Sequence, residues 1–154
     1  MSRAVVYDAL TTDPRMVALG FHGNTSTDPE VDNSNVRVNY DGDQRPSDVM
    51  FITIGWDEDT EGLRGDDSNK RDFWNFTMYF HMYDKFSTDY MRIIALMNLV
   101  DEIFDELVHV DGADGYTLTL IEAGTRSRDL KDETYETICK SANYKMLTRQ
   151  TALV

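Results

Sequence analysis

The chain has 154 residues, 41% of them hydrophobic and 11% aromatic, enough for one domain with a real core and too few for two. Its net charge of −13, with no basic stripe, excludes a protein that grips nucleic-acid phosphates. No apolar run reaches the roughly 18 residues that suggest a membrane span, no secretory signal is expected from "MSRAVVYDAL", and the single Cys139 fits a buried apolar role in a reducing cytoplasm.

In chain order, "SRAVVYDAL" predicts a first helix, with Ser2 as cap ahead of Ala4, Val5 and Leu10. "TTDPRMVALG" predicts a stop and restart: Asp13 caps, Pro14 takes the first helical position, and Gly20 ends the turn. Residues 22–35 are polar and rich in turn formers, so they read as an extended loop. "VRVNY" is a short strand before the turn "DGDQRPSD", and "VMFITIG" (49–55) is a strand dense in β-formers. From residue 73 to 83 the chain alternates. Trp74, Phe76, Met78, Phe80 and Met82 point to the core, while Asn75, Thr77, Tyr79, His81 and Tyr83 form a partly wet face. The two strands make a hairpin across an acidic loop, 57–72.

"FSTDYMRIIALMNLVDEIFDELV" is the strongest helix, expected over 90–108 with Ser87 or Thr88 as its cap. Ile93, Leu96, Met97, Val100, Ile103, Phe104 and Leu107 fall on one stripe, with Asp101, Glu102, Asp105 and Glu106 opposite. Those acids near the C-terminus oppose the helix dipole and make a candidate partner surface. "DGADG" is a turn, "YTLTLIEAG" (116–124) a strand and "TRSRDLKDE" a charged link. A last strand over 134–147 places Ile138, Ala142, Tyr144 and Met146 on one face. The pattern predicts an α+β fold: a mainly antiparallel sheet with a long hairpin, packed against one long amphipathic helix plus short N-terminal helices.

The acidic loop invites a calcium reading, since Asp57, Asp59, Glu61 and Gly62 fall at positions one, three, five and six of an EF-hand register. Position twelve, however, is Ser68 in place of the bidentate glutamate, Arg64 opposes a cation, and both flanks are β-like. No metal site is expected here. His22, His81 and His109 have no ligand partner at metal spacing, and no nucleophile elbow, P-loop or dinucleotide fingerprint is present. No enzyme activity and no cofactor are expected. Charge is uneven: residues 1–56 sum to −4, 57–72 to −4, 73–114 to −6 and 115–154 to +1.

"VMFITIGW", a polar insertion, "RDFWNFTMYFHMYDKFSTDYMRIIALMNLVDEIFDEL" and "GYTLTLIEAGTRSRDLKDETYETICKSANYKML" together resemble the tail terminator (tail completion) proteins of long-tailed bacteriophages, over residues 4–147. The resemblance implies one tail-terminator-like domain over 1–154 that assembles as a six-membered ring on the finished tail tube, in the host cytoplasm and then in the virion. It implies that the ring stops polymerisation and offers a docking surface to the head-closure protein, while DNA passes through the hole without specific binding. Candidate contacts are the loop acids Asp57, Glu58, Asp59, Glu61, Asp66 and Asp67, the helix acids Asp101 and Asp105, and the link cations Arg126, Arg128 and Lys131. A cationic link on one subunit is expected to meet an acidic surface on the next. Another head–tail connector or tube protein, and a small cytoplasmic ligand-binding domain or enzyme, remain alternatives.

Overall fold

The structure, a computed structural model, describes residues 3–38, 46, 48–60, 71–112 and 115–150, with the backbone alone at 57–60, 71, 72 and 150. Helix α1 (Arg3–Thr12) is followed at once by the short helix α2 (Pro14–Ala18). The break between them is local chemistry. Asp13 is extended, its side chain accepts the Arg15 N–H, and Pro14 opens the new helix without a missing bond. Gly20, at φ 92°, turns the chain out of α2 in a conformation that other residues rarely adopt.

Seven strands then build one sheet among the described residues: β1 (Val36–Val38), β2 (Met50–Thr60), β3 (Arg71–Tyr83), β4 (Val110–Asp111), β5 (Tyr116–Arg126), β6 (Leu130–Asp132) and β7 (Thr137–Gln150). Their order is β1-β2-β3-β7-β5-β4, with β6 also paired to β7. All pairs are antiparallel except β1 with β2, and helix α3 (Met91–Glu106) lies between β3 and β4 in sequence. The broad α+β expectation holds.

The β3–β7 register is unbroken from Arg71↔Arg149 to Tyr83↔Thr137, so the even residues of both strands share one face and the odd residues the other. The even face holds the core. Phe76, Met78, Phe80, Met82, Ile138, Ala142, Tyr144 and Met146 are buried there with Ile52 and Ile54 of β2. Val6 and Leu10 of α1 and Ile93, Leu96, Met97, Val100, Ile103 and Phe104 of α3 complete the cluster. Arg3 lies over the Trp56 and Trp74 rings, 5.0 and 5.5 Å from their centroids, and ties α1 to the far end of β2 and β3.

Several sequence-based boundaries are corrected. Strands β2 and β3 run to Thr60 and from Arg71, so Asp57, Glu58 and Asp59 sit on a strand and not in a loop. A register shift between Trp56 and Asp59 explains the misreading: the bulge breaks the two-residue alternation just where β-poor acids begin. The remaining tip, 61–70, with Glu61, Asp66 and Asp67, lies outside the described residues. Helix α3 starts at Met91, whose N–H is taken by the Asp89 carboxylate, while Ser87 caps only Asp89. The charged link is partly strand, since β5 extends to Arg126 and β6 pairs residues 130–132 with β7. Strand β7 begins at Thr137, because Asp132 accepts the N–H groups of Thr134 and Tyr135 and holds a turn closed by Glu136 at φ 57°.

Candidate functional site

The outer face of α3 and the odd face of the sheet are the two broad surfaces, and they lie on opposite sides of the domain. On α3, Met91, Arg92, Glu102, Asp105 and Glu106 are exposed. Asp101 is not an outward acid as its spacing implies. Its Oδ1 accepts the Tyr144 hydroxyl at 2.7 Å and its Oδ2 the Arg126 guanidinium at 2.6 Å. Burial, then the hydrogen bond to this carboxylate, raises the Tyr144 phenol above its ordinary range. The trio pins α3 to β5 and β7. Glu106 is engaged as well, because Arg15 bridges it at 2.7 Å and Asp13 at 2.9 Å. That hydrogen bond holds the Glu106 carboxyl below its ordinary range and supplies the cation that a helix C-terminus favours.

The cationic link is therefore largely satisfied within the chain. Arg126 pairs with Asp101, and Lys131 lies 3.7 Å from Asp84. Two of the three link cations thus have an acid within the chain, where an acidic surface on a neighbouring subunit was the expected partner. Arg128 is exposed and, among the described residues, has no acid within ion-pair distance. Asp105 also lacks such a partner among the described residues, and the side chains of 57–67 lie outside them.

Among the described residues, the odd face of the sheet is most fully buried at one end. There Phe51, His81, Tyr135, Thr137 and Cys139 are buried as a small second cluster. His81 was expected on a partly wet face, yet it is 2% exposed. It stacks on Phe51 at 4.6 Å with 5° between the planes, and Tyr135 meets it edge-on. Its Nδ1 lies 2.9 Å from the Thr137 hydroxyl and its Nε2 3.4 Å from that of Thr53. Burial pushes its pKa down to about 4, against a weaker upward pull from Asp132, so the ring is neutral at pH 7. Burial likewise pushes the Cys139 thiol up to about 11, which makes it a poor nucleophile.

Beside this cluster opens a cavity of about 250 Å³ lined by Thr53, Gly55, Tyr79, His81, Asp132 and Tyr135 among others. A shallower hollow of about 210 Å³, lined by Asn75, Glu122, Gly124, Asn143 and Lys145, lies further along the same face. A Cβ at Gly124 would lie 3.0 Å from the Asn143 carbonyl oxygen, a tight contact that the neighbouring strand would have to relieve by a small shift. The sequence signal for this end was weak, because Phe51, His81 and Tyr135 are far apart in the chain and only the register His81↔Cys139 and Phe51↔His81 assembles them. Among the described residues no group of three or more His, Cys, Asp or Glu gathers to hold a metal ion. In comparison with known proteins, no family model and no curated protein matches the chain.

Proposed function

We propose that this chain is a tail-terminator subunit, a structural virion protein that caps the end of a phage tail tube as a ring of six copies. In this reading β2 and β3 are the long hairpin, α3 is the long amphipathic helix, and the acidic stretch 57–72, which includes the ends of both strands, lines the channel or reaches an adjoining ring. The ring stops tube polymerisation and presents the docking surface for the head-closure protein. It works at the head-proximal end of the tail after assembly in the host cytoplasm. The acidic surface lets DNA pass without holding it.

One observation supports this most: among the described residues the sheet has a helical layer on one face and an opposite face that carries exposed polar and aromatic side chains such as Tyr79, Asn143, Lys145 and Arg149. A subunit with two unlike faces is suited to a head-to-tail contact, and a head-to-tail contact whose rotation closes is a ring. Electron microscopy of the purified protein mixed with tail tubes tests the proposal. Rings seated on one end of each tube are expected; tubes with bare ends and no ring would overturn it.

The cavity beside His81 and Asp132 favours a second reading, a small-molecule site. Against catalysis by His81 stands its geometry, since both ring nitrogens already lie beside threonine hydroxyls in a buried setting. A ligand there would be held by Tyr79 and Tyr135, and a melting-temperature rise with a small aromatic compound would support that reading.

A further inference from the structure

The two broad surfaces carry complementary charges over comparable lengths. The cavity on the odd face is walled by Tyr79, which is 41% exposed, and by Tyr135, and Asp132 gives it an acid. Along the same face, Lys145 lies opposite Asn75 and Arg149 opposite Arg71 in the β3–β7 register. At about 3.3 Å per strand residue, these cations lie about 13 and 26 Å from Tyr79. Glu122, opposite Lys145 in the β5–β7 register, offsets that lysine, so Arg149 is the more available cation. On the outside of α3, Met91 is 64% exposed and Arg92 stands beside it. At about 1.5 Å per helical residue, Glu102 and Asp105 follow about 17 and 21 Å further on.

We propose that the odd face of the sheet receives α3 of a second copy of this chain, with Met91 in the Tyr79–Tyr135 cavity and the helix acids beside Arg149 and Lys145. The flexible thioether of Met91 suits an aromatic-walled hollow, and sulfur–aromatic contact favours it there. Arg92 of the incoming helix meets Asp132 at the cavity end, while Glu102 and Asp105 meet the cations at the other. The signs agree at both ends in this orientation and clash if the helix is reversed, so charge fixes the direction of docking. Because the donor and acceptor surfaces lie on opposite sides of the subunit, the contact is head-to-tail and propagates to a ring or a filament. The inference rests on the ring reading and names its subunit contact.

The test is a cross-link. Tyr79 and Met91 are both exposed and stand on opposite sides of the domain, so a disulfide between cysteines placed there joins two copies and not one. The Tyr79→Cys/Met91→Cys protein, mildly oxidised, is expected to give a covalent ladder of multimers on a non-reducing gel, and either single variant only traces of dimer. No ladder in the double variant, or the same ladder in a single one, overturns the contact. Charge exchange provides a second measurement that needs no cysteine. Arg149→Glu is expected to weaken self-assembly about fivefold or more, and Asp105→Arg in the same chain to restore it. Absence of that rescue overturns the pairing. Sedimentation of the wild type separates the two ideas: multimers without the cross-link retire this contact and leave the ring, whereas rings on tubes remain the test of the ring.

Discussion

His81 makes the stability of this domain depend on pH in a way that can be isolated. Its pKa falls from 6.5 in a free side chain to about 4 in the fold, because charging the ring would place an imidazolium among Phe51, Tyr135 and Thr137. Above about pH 6.5 the ring is neutral in both states and contributes no slope. As pH falls below that value the unfolded chain takes up a proton that the folded chain refuses, and stability is lost until the folded pKa is reached. The shift corresponds to a loss of about 2 kcal/mol by pH 5 and about 3 kcal/mol by pH 4. Asp132 exerts a weaker pull the other way, already contained in the net downward shift. Urea unfolding of wild type and His81→Phe, at one protein concentration and at several pH values between about 7.5 and 5, reads the effect as a difference of slopes. The carboxylates titrate in both proteins and cancel in that difference. The wild type is expected to lose about 2 kcal/mol more than the variant across the window. Parallel pH dependences would refute the buried neutral histidine.

Phe80 is fully buried on the even face, so Phe80→Ala is expected to cost about 3–5 kcal/mol in urea unfolding, and an unchanged curve would remove that face from the core. Calcium at millimolar concentration is expected to leave the melting temperature unchanged; a rise that Asp57→Ala abolishes would restore the metal site that Ser68 and Arg64 argue against. Arg126→Glu is expected to destabilise the subunit itself, by placing a second acid against Asp101, and urea unfolding that matches wild type would show the Arg126–Asp101 contact to be idle. Arg128→Glu is expected to leave folding intact and weaken ring assembly, and normal capping by this variant would end the role given to the link.

The parts of the fold that were legible rest on short-range signals. The spacing from Ile93 to Phe104 marks the buried stripe of α3, the alternation from Trp74 to Met82 marks the inward side of β3, and Asp13–Pro14 marks the start of α2. What stayed hidden depends on partners distant in sequence. Asp101 meets Tyr144 and Arg126 only because β5 and β7 lie under α3, and His81 is buried only because Phe51 and Tyr135 close over it. The parallel pairing of β1 with β2 leaves no mark in three residues of sequence. Beyond Trp56 the acids imitate a loop, while the backbone of β2 continues through a bulge. The candidate contacts of the tail reading were the least legible, since charge alone did not reveal that Arg126 and Lys131 have partners at home.

The central claim is that this chain ends tube growth, and tube length measures it directly. Tube protein polymerising in the presence of increasing amounts of the purified chain is to be imaged and the length of every tube recorded. The account predicts that mean length falls as the ratio of this chain to tube protein rises, with growth halted at ends that carry a ring. Lengths that do not depend on that ratio, with ends that continue to grow, would contradict it.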